Sequence, residues 1–126
     1  MDPRSDLADQ VQKALVAHGA WKVRLAQAIE TGGSEFRADV VARDNECVLG
    51  KWLYGELPPA LKRAPDYATV LKLHADFHRA AADVLVLALR GKPADARAAM
   101  EPSSAFGRAS THLTLALVAW RSSFEG

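Results

Sequence analysis

The sequence is poor in the β-branched residues that favour strands. It contains one isoleucine and four threonines against 24 alanines and 15 leucines. Alanine and leucine are strong helix formers, whereas isoleucine and threonine suit pleated sheets. We therefore expect an all-α protein, and a length of 126 residues suits a single domain over 1–126.

Three other shortages exclude whole classes of protein. One cysteine excludes an internal disulfide and is typical of a reducing cytoplasm. A net charge of +1 lacks the basic excess of a nucleic-acid-binding surface. The longest apolar run, residues 84–89, is far shorter than the roughly 20 residues of a membrane span, and the acidic N-terminus does not resemble a signal peptide.

Apolar residues recur every three or four positions in four long segments separated by glycine and proline. This periodicity predicts helices over 5–31, 34–54, 66–90 and from 103 or 104 to 123, with a short helix over 93–100. Gly50 lies within the second segment and could break or tighten it there. Residues 55–65 contain three prolines and are expected to form a loop that packs through Leu57 and Leu61. The expected architecture is an antiparallel four-helix bundle with a short extra helix.

Three of the four histidines fall on the apolar faces of these helices. His74 and His78 are four residues apart, so their rings lie on one face about one turn apart and could bind one metal ion. His18 faces the same core from the first helix, and Cys47 is the single thiol in the second segment. Three imidazoles and a thiolate suit tetrahedral Zn²⁺ in the bundle. His112 lies one position off its apolar face and is expected to be exposed.

Each of these residues also has a simpler interpretation. A histidine on an apolar face is usually a hydrogen-bonded core residue, and a buried cysteine usually acts as a small hydrophobe. Only their joint placement favours a metal site. A zinc enzyme is disfavoured because catalytic zinc usually keeps an open coordination position. A di-iron site is set aside because no Glu-x-x-His pair is present. A metal-free structural or interaction bundle stays open as an alternative.

Three motifs in order carry a resemblance to a known family. They are HGAW at residues 18–21, CVLGKW at 47–52 and HADFH at 74–78. The chain resembles the chemoreceptor zinc-binding (CZB) domain, in which a histidine followed by an aromatic precedes a Cys-x-Leu/Phe-Gly-x-aromatic motif and then HxxxH.

The resemblance implies a bacterial cytoplasmic zinc sensor domain without catalytic activity. Its zinc ligands would be His18, Cys47, His74 and His78, and its members are often homodimeric. Relatives are attached to chemoreceptors and diguanylate cyclases, which implies a role in chemotaxis or cyclic-di-GMP signalling with such a partner in cis or in trans. The zinc–thiolate centre of the family is also proposed to respond to oxidants such as hypochlorous acid.

The surroundings of the ligands are harder to predict. Trp21 and Trp52 occupy the family's aromatic positions and either wall the zinc pocket or simply pack in the core. Asp44 or a backbone carbonyl is expected to orient a ligand histidine. Because a thiolate is the ligand most easily oxidised, Cys47 is the expected switch, and the glycine-flanked segment 34–54 the expected moving part.

Overall fold

A computed structural model of the protein describes residues 3–45, 47–55 and 57–125. Within these ranges the chain is helical and contains no β-strand, which confirms the all-α prediction. The elements are α1 (Pro3–Thr31), α2 (Ala38–Val41), α3 (Val48–Leu53), α4 (Pro59–Arg63), α5 (Pro65–Leu89), α6 (Pro93–Ala98) and α7 (Ala105–Glu125). None of these helices is both long and apolar enough to cross a membrane.

The long helices begin and end where local chemistry requires. Gly32, directly after α1, and Gly91, after the C-cap residue of α5, have φ values of +76° and +72°, a left-handed conformation that glycine adopts without steric cost. Pro93 starts α6 at a position that needs no amide donor. The Ser104 hydroxyl accepts a hydrogen bond from the Gly107 amide at 3.0 Å and caps α7.

The relative directions of the long helices follow from aromatic contacts at one end of the bundle. The Trp52 indole donates to Asp6, near the start of α1, at 3.0 Å. It also lies 5.8 Å from the ring of Trp120, near the end of α7, which in turn contacts Tyr67 near the start of α5. Helices α1 and α5 therefore run in the same direction and α7 runs opposite to them.

The chain between α1 and α5 must consequently return along the bundle, and it does so in short helices. The predicted helix over 34–54 is present only as α2 and α3, so the antiparallel four-helix arrangement stays a prediction. The interruption lies before Cys47 and not at Gly50, which is inside α3. A Cβ on Gly50 would overlap the carbonyl oxygen of Asp44, so glycine is needed there for a close approach of two backbone segments.

The predicted loop 55–65 also differs, because it contains α4. Pro59 opens this helix at a position where its missing amide hydrogen has no consequence. Leu57 and Leu61 are buried as expected. The buried core also contains Phe77, Phe106 and Trp120. The ring centres of Phe77 on α5 and Phe106 on α7 lie 5.4 Å apart.

Candidate metal centre

Four side chains from three segments meet inside the helical core. His18 comes from α1, Cys47 directly precedes α3, and His74 and His78 lie one turn apart on α5. One ligand atom from each residue lies within 4.8 Å of the other three. The histidine side chains are 8%, 0% and 3% exposed in chain order, and Cys47 is half-buried. The structure thus brings together all four predicted ligand residues, whereas His112 is exposed elsewhere as predicted.

The shortest distances in the cluster are close to those between ligands of a tetrahedral ion. The Cys47 Sγ lies 3.2 Å from His74 Nε2 and 3.5 Å from His78 Nε2, and the two Nε2 atoms are 3.0 Å apart. Zn–N and Zn–S bonds of about 2.0–2.3 Å at tetrahedral angles separate neighbouring ligand atoms by roughly 3.3–3.7 Å. Cys47, His74 and His78 therefore need to move by only a few tenths of an ångström to bind one ion.

A backbone carbonyl sets the orientation of His78. Its Nδ1 lies 3.0 Å from the carbonyl oxygen of Val41, the last residue of α2, and donates a hydrogen to it. The proton on Nδ1 leaves the lone pair on Nε2 directed at Cys47 and His74. This is the usual arrangement behind a metal-bound histidine.

The imidazole nitrogens that lack a hydrogen-bond partner favour a cation in the cluster. Both ring nitrogens of His18 and the Nδ1 of His74 are buried without a hydrogen-bond partner among the described residues. Unpaired buried polar groups are costly, and each needs an explanation. A cation would bond one nitrogen of the His18 ring, which stands edge-on to Phe77 at 4.8 Å and to His74 at 5.1 Å. The second nitrogen of His18 and the Nδ1 of His74 have no partner among the described residues.

Burial keeps the three histidines neutral, which is the form that binds metal. Burial, followed by repulsion from His78 and His18, lowers the pKa of His74 to about 2. Burial and repulsion from His78 lower the pKa of His18 to about 4; the Ala14 carbonyl opposes this shift but does not complete a hydrogen bond. Burial also lowers the pKa of His78, against the opposing effects of the Val41 carbonyl and the Asp44 carboxylate.

Cys47 is held at the start of α3 and is protonated in the absence of a cation. Burial is the main cause that raises the pKa of its thiol, and the amide of Gly50 acts in the opposite direction. That amide donates to the Cys47 Sγ at 3.3 Å. A divalent cation reverses this preference because a coordinating thiol is deprotonated.

Trp21 lies beside the cluster. Its ring packs edge-on against Phe36 at 5.0 Å. It also lines a groove of about 340 Å³ whose wall includes Cys47 and His78. This position supports the interpretation of Trp21 as a wall of the site. No pattern in the sequence indicates that Phe36 contacts it.

Trp52 and Asp44 have other contacts. Trp52 joins Asp6 and Trp120 at the end of the bundle, which supports the core-packing interpretation of this residue. Asp44 accepts a hydrogen bond from the Tyr54 hydroxyl at 2.6 Å. Its role beside a ligand histidine stays a prediction.

Comparison with known families agrees with this geometry. The family model described as the chemoreceptor zinc-binding domain (CZB) matches residues 18–85. The match covers just over half of the 126 residues and includes all four cluster positions. No curated protein and no solved structure matches the chain.

Proposed function

Since the chain belongs to the chemoreceptor zinc-binding domain family and binds zinc as its cofactor, we propose that it is a regulatory domain that senses zinc or oxidants. His18, Cys47, His74 and His78 are its ligands in this proposal. The single observation that carries the assignment is their convergence in the core, with three imidazoles held neutral by burial.

The ligand set also argues against catalysis. Four protein ligands complete the tetrahedral shell of zinc, whereas catalytic sites usually keep one position for water or substrate. We therefore propose that the domain has no enzymatic activity of its own.

Regulation follows from where the ligands are attached. His74 and His78 lie on α5, which is 25 residues long, whereas Cys47 precedes the six-residue α3. When zinc is bound, it joins both helices to α1 and adds its binding free energy to the stability of this arrangement. Of the four ligands only Cys47 lies on the segment from α2 to α3. Its release removes the tie between zinc and this segment, which is then held only by contacts such as those of Val41 and Trp52, while the histidines on α1 and α5 stay in the core.

Oxidation of Cys47 is the proposed signal. Hypochlorous acid transfers an oxygen to the thiolate, so that sulfur is oxidised to sulfenic acid and chlorine is reduced and leaves as chloride. A sulfenic acid is a far weaker ligand than a thiolate, and histidine does not share this reaction. The half-buried thiol is open enough for a small oxidant to reach it.

The proposed cellular setting is cytoplasmic, with a homodimer as the working unit. Val16 and Val23 project from α1 seven residues apart and are 65% and 59% exposed, which supports contact with a second copy. The proposed output partner is a chemoreceptor or diguanylate cyclase, in the same chain or in another. In this proposal residues 1–126 form one domain.

Elemental mass spectrometry of untagged protein purified without added metal tests the zinc assignment. We expect about one zinc per chain, with loss of zinc in Cys47→Ala and His74→Ala. His112→Ala is the matched control, because this histidine is exposed and outside the cluster. Zinc retained by His74→Ala, or no zinc in the wild type, would refute the ligand set.

The sensing step has a separate test. Treatment of the zinc protein with hypochlorous acid should increase amide hydrogen exchange in residues 38–53 and release zinc. Cys47→Ala, loaded with zinc at high concentration or metal-free, should show no such change. An equal response of this variant would leave a zinc-stabilised structural or interaction bundle as the function.

A further inference from the structure

A groove whose wall includes Cys47 and His78 is also lined by three arginines. It has a volume of about 340 Å³ and is formed by α1, by residues 36–43 and by the start of α3. Most of its wall is apolar. Its polar lining residues are Arg24, Arg37, Arg43, Cys47 and His78. We call it the arginine groove.

Arg24 is held in place by two aromatic rings. The carbon of its guanidinium group lies 4.9 Å from the centre of the Trp21 ring and 5.0 Å from that of Phe36. Such cation–π contacts restrain a side chain that is otherwise mobile.

Arg24 has no acidic partner among the described residues. No described acidic side chain lines the groove, and no described carboxylate forms an ion pair with Arg24. Arg37 is partly compensated by Asp39, to which it donates at 3.1 and 2.9 Å. Glu30 and Glu35 line a neighbouring cavity that Arg24 also borders, but neither forms an ion pair with it. Arg24 is therefore the group best placed to bind an anion.

The volume and chemistry of the groove together define a ligand class. A few hundred cubic ångströms with mainly apolar walls and a few polar groups is typical of small-molecule sites. A planar guanidinium group recognises a carboxylate through two parallel hydrogen bonds. We propose that the arginine groove binds a small aromatic carboxylate, with its carboxylate on Arg24, and that the bound molecule covers the Sγ of Cys47.

This site does not depend on the proposed sensing function. It rests on the groove and its arginines, and its occupancy can be measured with or without zinc. If the groove is occupied, access of oxidants to Cys47 falls, so the ligand would set how readily the thiol reacts.

Isothermal titration of the full chain with 1-naphthoate tests the proposal, with the uncharged 1-naphthamide as the matched ligand. We expect saturable binding of the carboxylate and at least about tenfold weaker binding of the amide, because a hydrogen bond to a charged group is lost. Arg24→Gln should weaken naphthoate by a similar factor and leave naphthamide unchanged. Arg108→Gln, the same substitution in a groove between α5 and α7, is the control.

A second measurement reports where the ligand lies. Alkylation of Cys47 by iodoacetamide in the metal-free protein should slow in proportion to the fraction of naphthoate bound. Arg24→Lys keeps the charge without the planar fork and should bind with intermediate affinity, which covers the case in which Arg24→Gln fails to fold.

Several results would overturn the proposal. They are the absence of saturable naphthoate binding, equal affinity for the amide, unchanged affinity in the Arg24 variants, or alkylation of Cys47 at an unaltered rate. A change of oligomeric state in Arg24→Gln without naphthoate binding to the wild type would assign the groove to a second copy of the chain.

Discussion

Replacement of Gly50 by alanine tests how the structure positions Cys47. Gly50 lies in the first turn of α3, three residues after Cys47, and its amide donates to the Cys47 Sγ at 3.3 Å. An added Cβ would overlap the carbonyl oxygen of Asp44 and lie 2.7 Å from its carbonyl carbon and 3.0 Å from the Asn45 Cα. All three atoms belong to the backbone and cannot move away by rotation of a side chain.

Two effects of opposite sign decide the outcome. Alanine in place of glycine inside a helix stabilises by about 1 kcal/mol. Extra atoms in a close-packed place typically cost about 1–3 kcal/mol, and overlap with the rigid backbone points to the upper end. We expect a net loss of about 2 kcal/mol in the free energy of unfolding, which lowers the folding constant roughly 30-fold.

The same displacement should weaken zinc binding. The backbone of residues 44–45 must move to admit the methyl group, and Cys47 follows two residues later. Changes behind a metal ligand typically cost about 10–100-fold in metal affinity, and we expect a loss in this range. Urea unfolding of the metal-free protein and competition with a chromogenic zinc chelator measure the two effects.

Two other glycines provide matched controls. Gly19 lies inside α1 with no atom within 4 Å of an added Cβ, so Gly19→Ala should stabilise the protein. An added Cβ on Gly107 would overlap the carbonyl oxygen of Glu101, so Gly107→Ala should destabilise the start of α7 without loss of zinc affinity. Unchanged or higher stability of Gly50→Ala, or full zinc affinity, would refute the reasoning.

Three further predictions concern zinc and pH. Removal of zinc by a chelator should lower the free energy of unfolding. The expected loss is about 4 kcal/mol when the reference is protein with free zinc at a thousand times its dissociation constant. Calorimetry should show the same loss in His112→Ala but none in Cys47→Ala. The pKa values of about 4 for His18 and about 2 for His74 lie below the ordinary value of 6.5, so between pH 6.5 and these values the unfolded chain binds protons that the folded chain does not. The metal-free protein should therefore lose stability as pH falls through this window, and unfolding of His74→Gln should show a shallower dependence. The hydrogen bond to Asp44, with a smaller effect of burial, raises the pKa of Tyr54 to about 12. The contribution of this hydrogen bond to stability is therefore present below pH 10 and is lost as pH rises through 12. Absorbance titration should show one tyrosine near 12, and its pKa should return towards 10 in Asp44→Asn.

Periodicity in the sequence predicted the long helices well because their core-facing positions follow a regular spacing. His74 and His78 could be placed on one face of α5 from that spacing alone. The same signal failed over 34–54. There the chain interrupts its helix before Cys47, and two backbone segments approach closely at Gly50, a contact that spacing cannot reveal.

The support of the cluster was only partly predictable. A hydrogen bond from His78 to a backbone carbonyl was one of the expected possibilities. Because any residue can supply a carbonyl, the sequence does not indicate that Val41 is the acceptor. Arg24 and Phe36 were missed for a related reason. They meet Trp21 only because the chain after α1 turns back over that helix.

The 27-residue separation of Cys47 and His74 has a consequence for the unfolded chain. A crosslink between two such positions removes conformational freedom from the denatured state, and a loop of this length corresponds to about 3.5 kcal/mol in the chain-entropy treatment. A cation shared by Cys47 and His74 acts as a reversible tie of this kind. Oxidation of the Cys47 sulfur, with the release of zinc, would remove this tie from the denatured chain. The bundle would then lose stability of this order through chain entropy, in addition to the bonds to the metal.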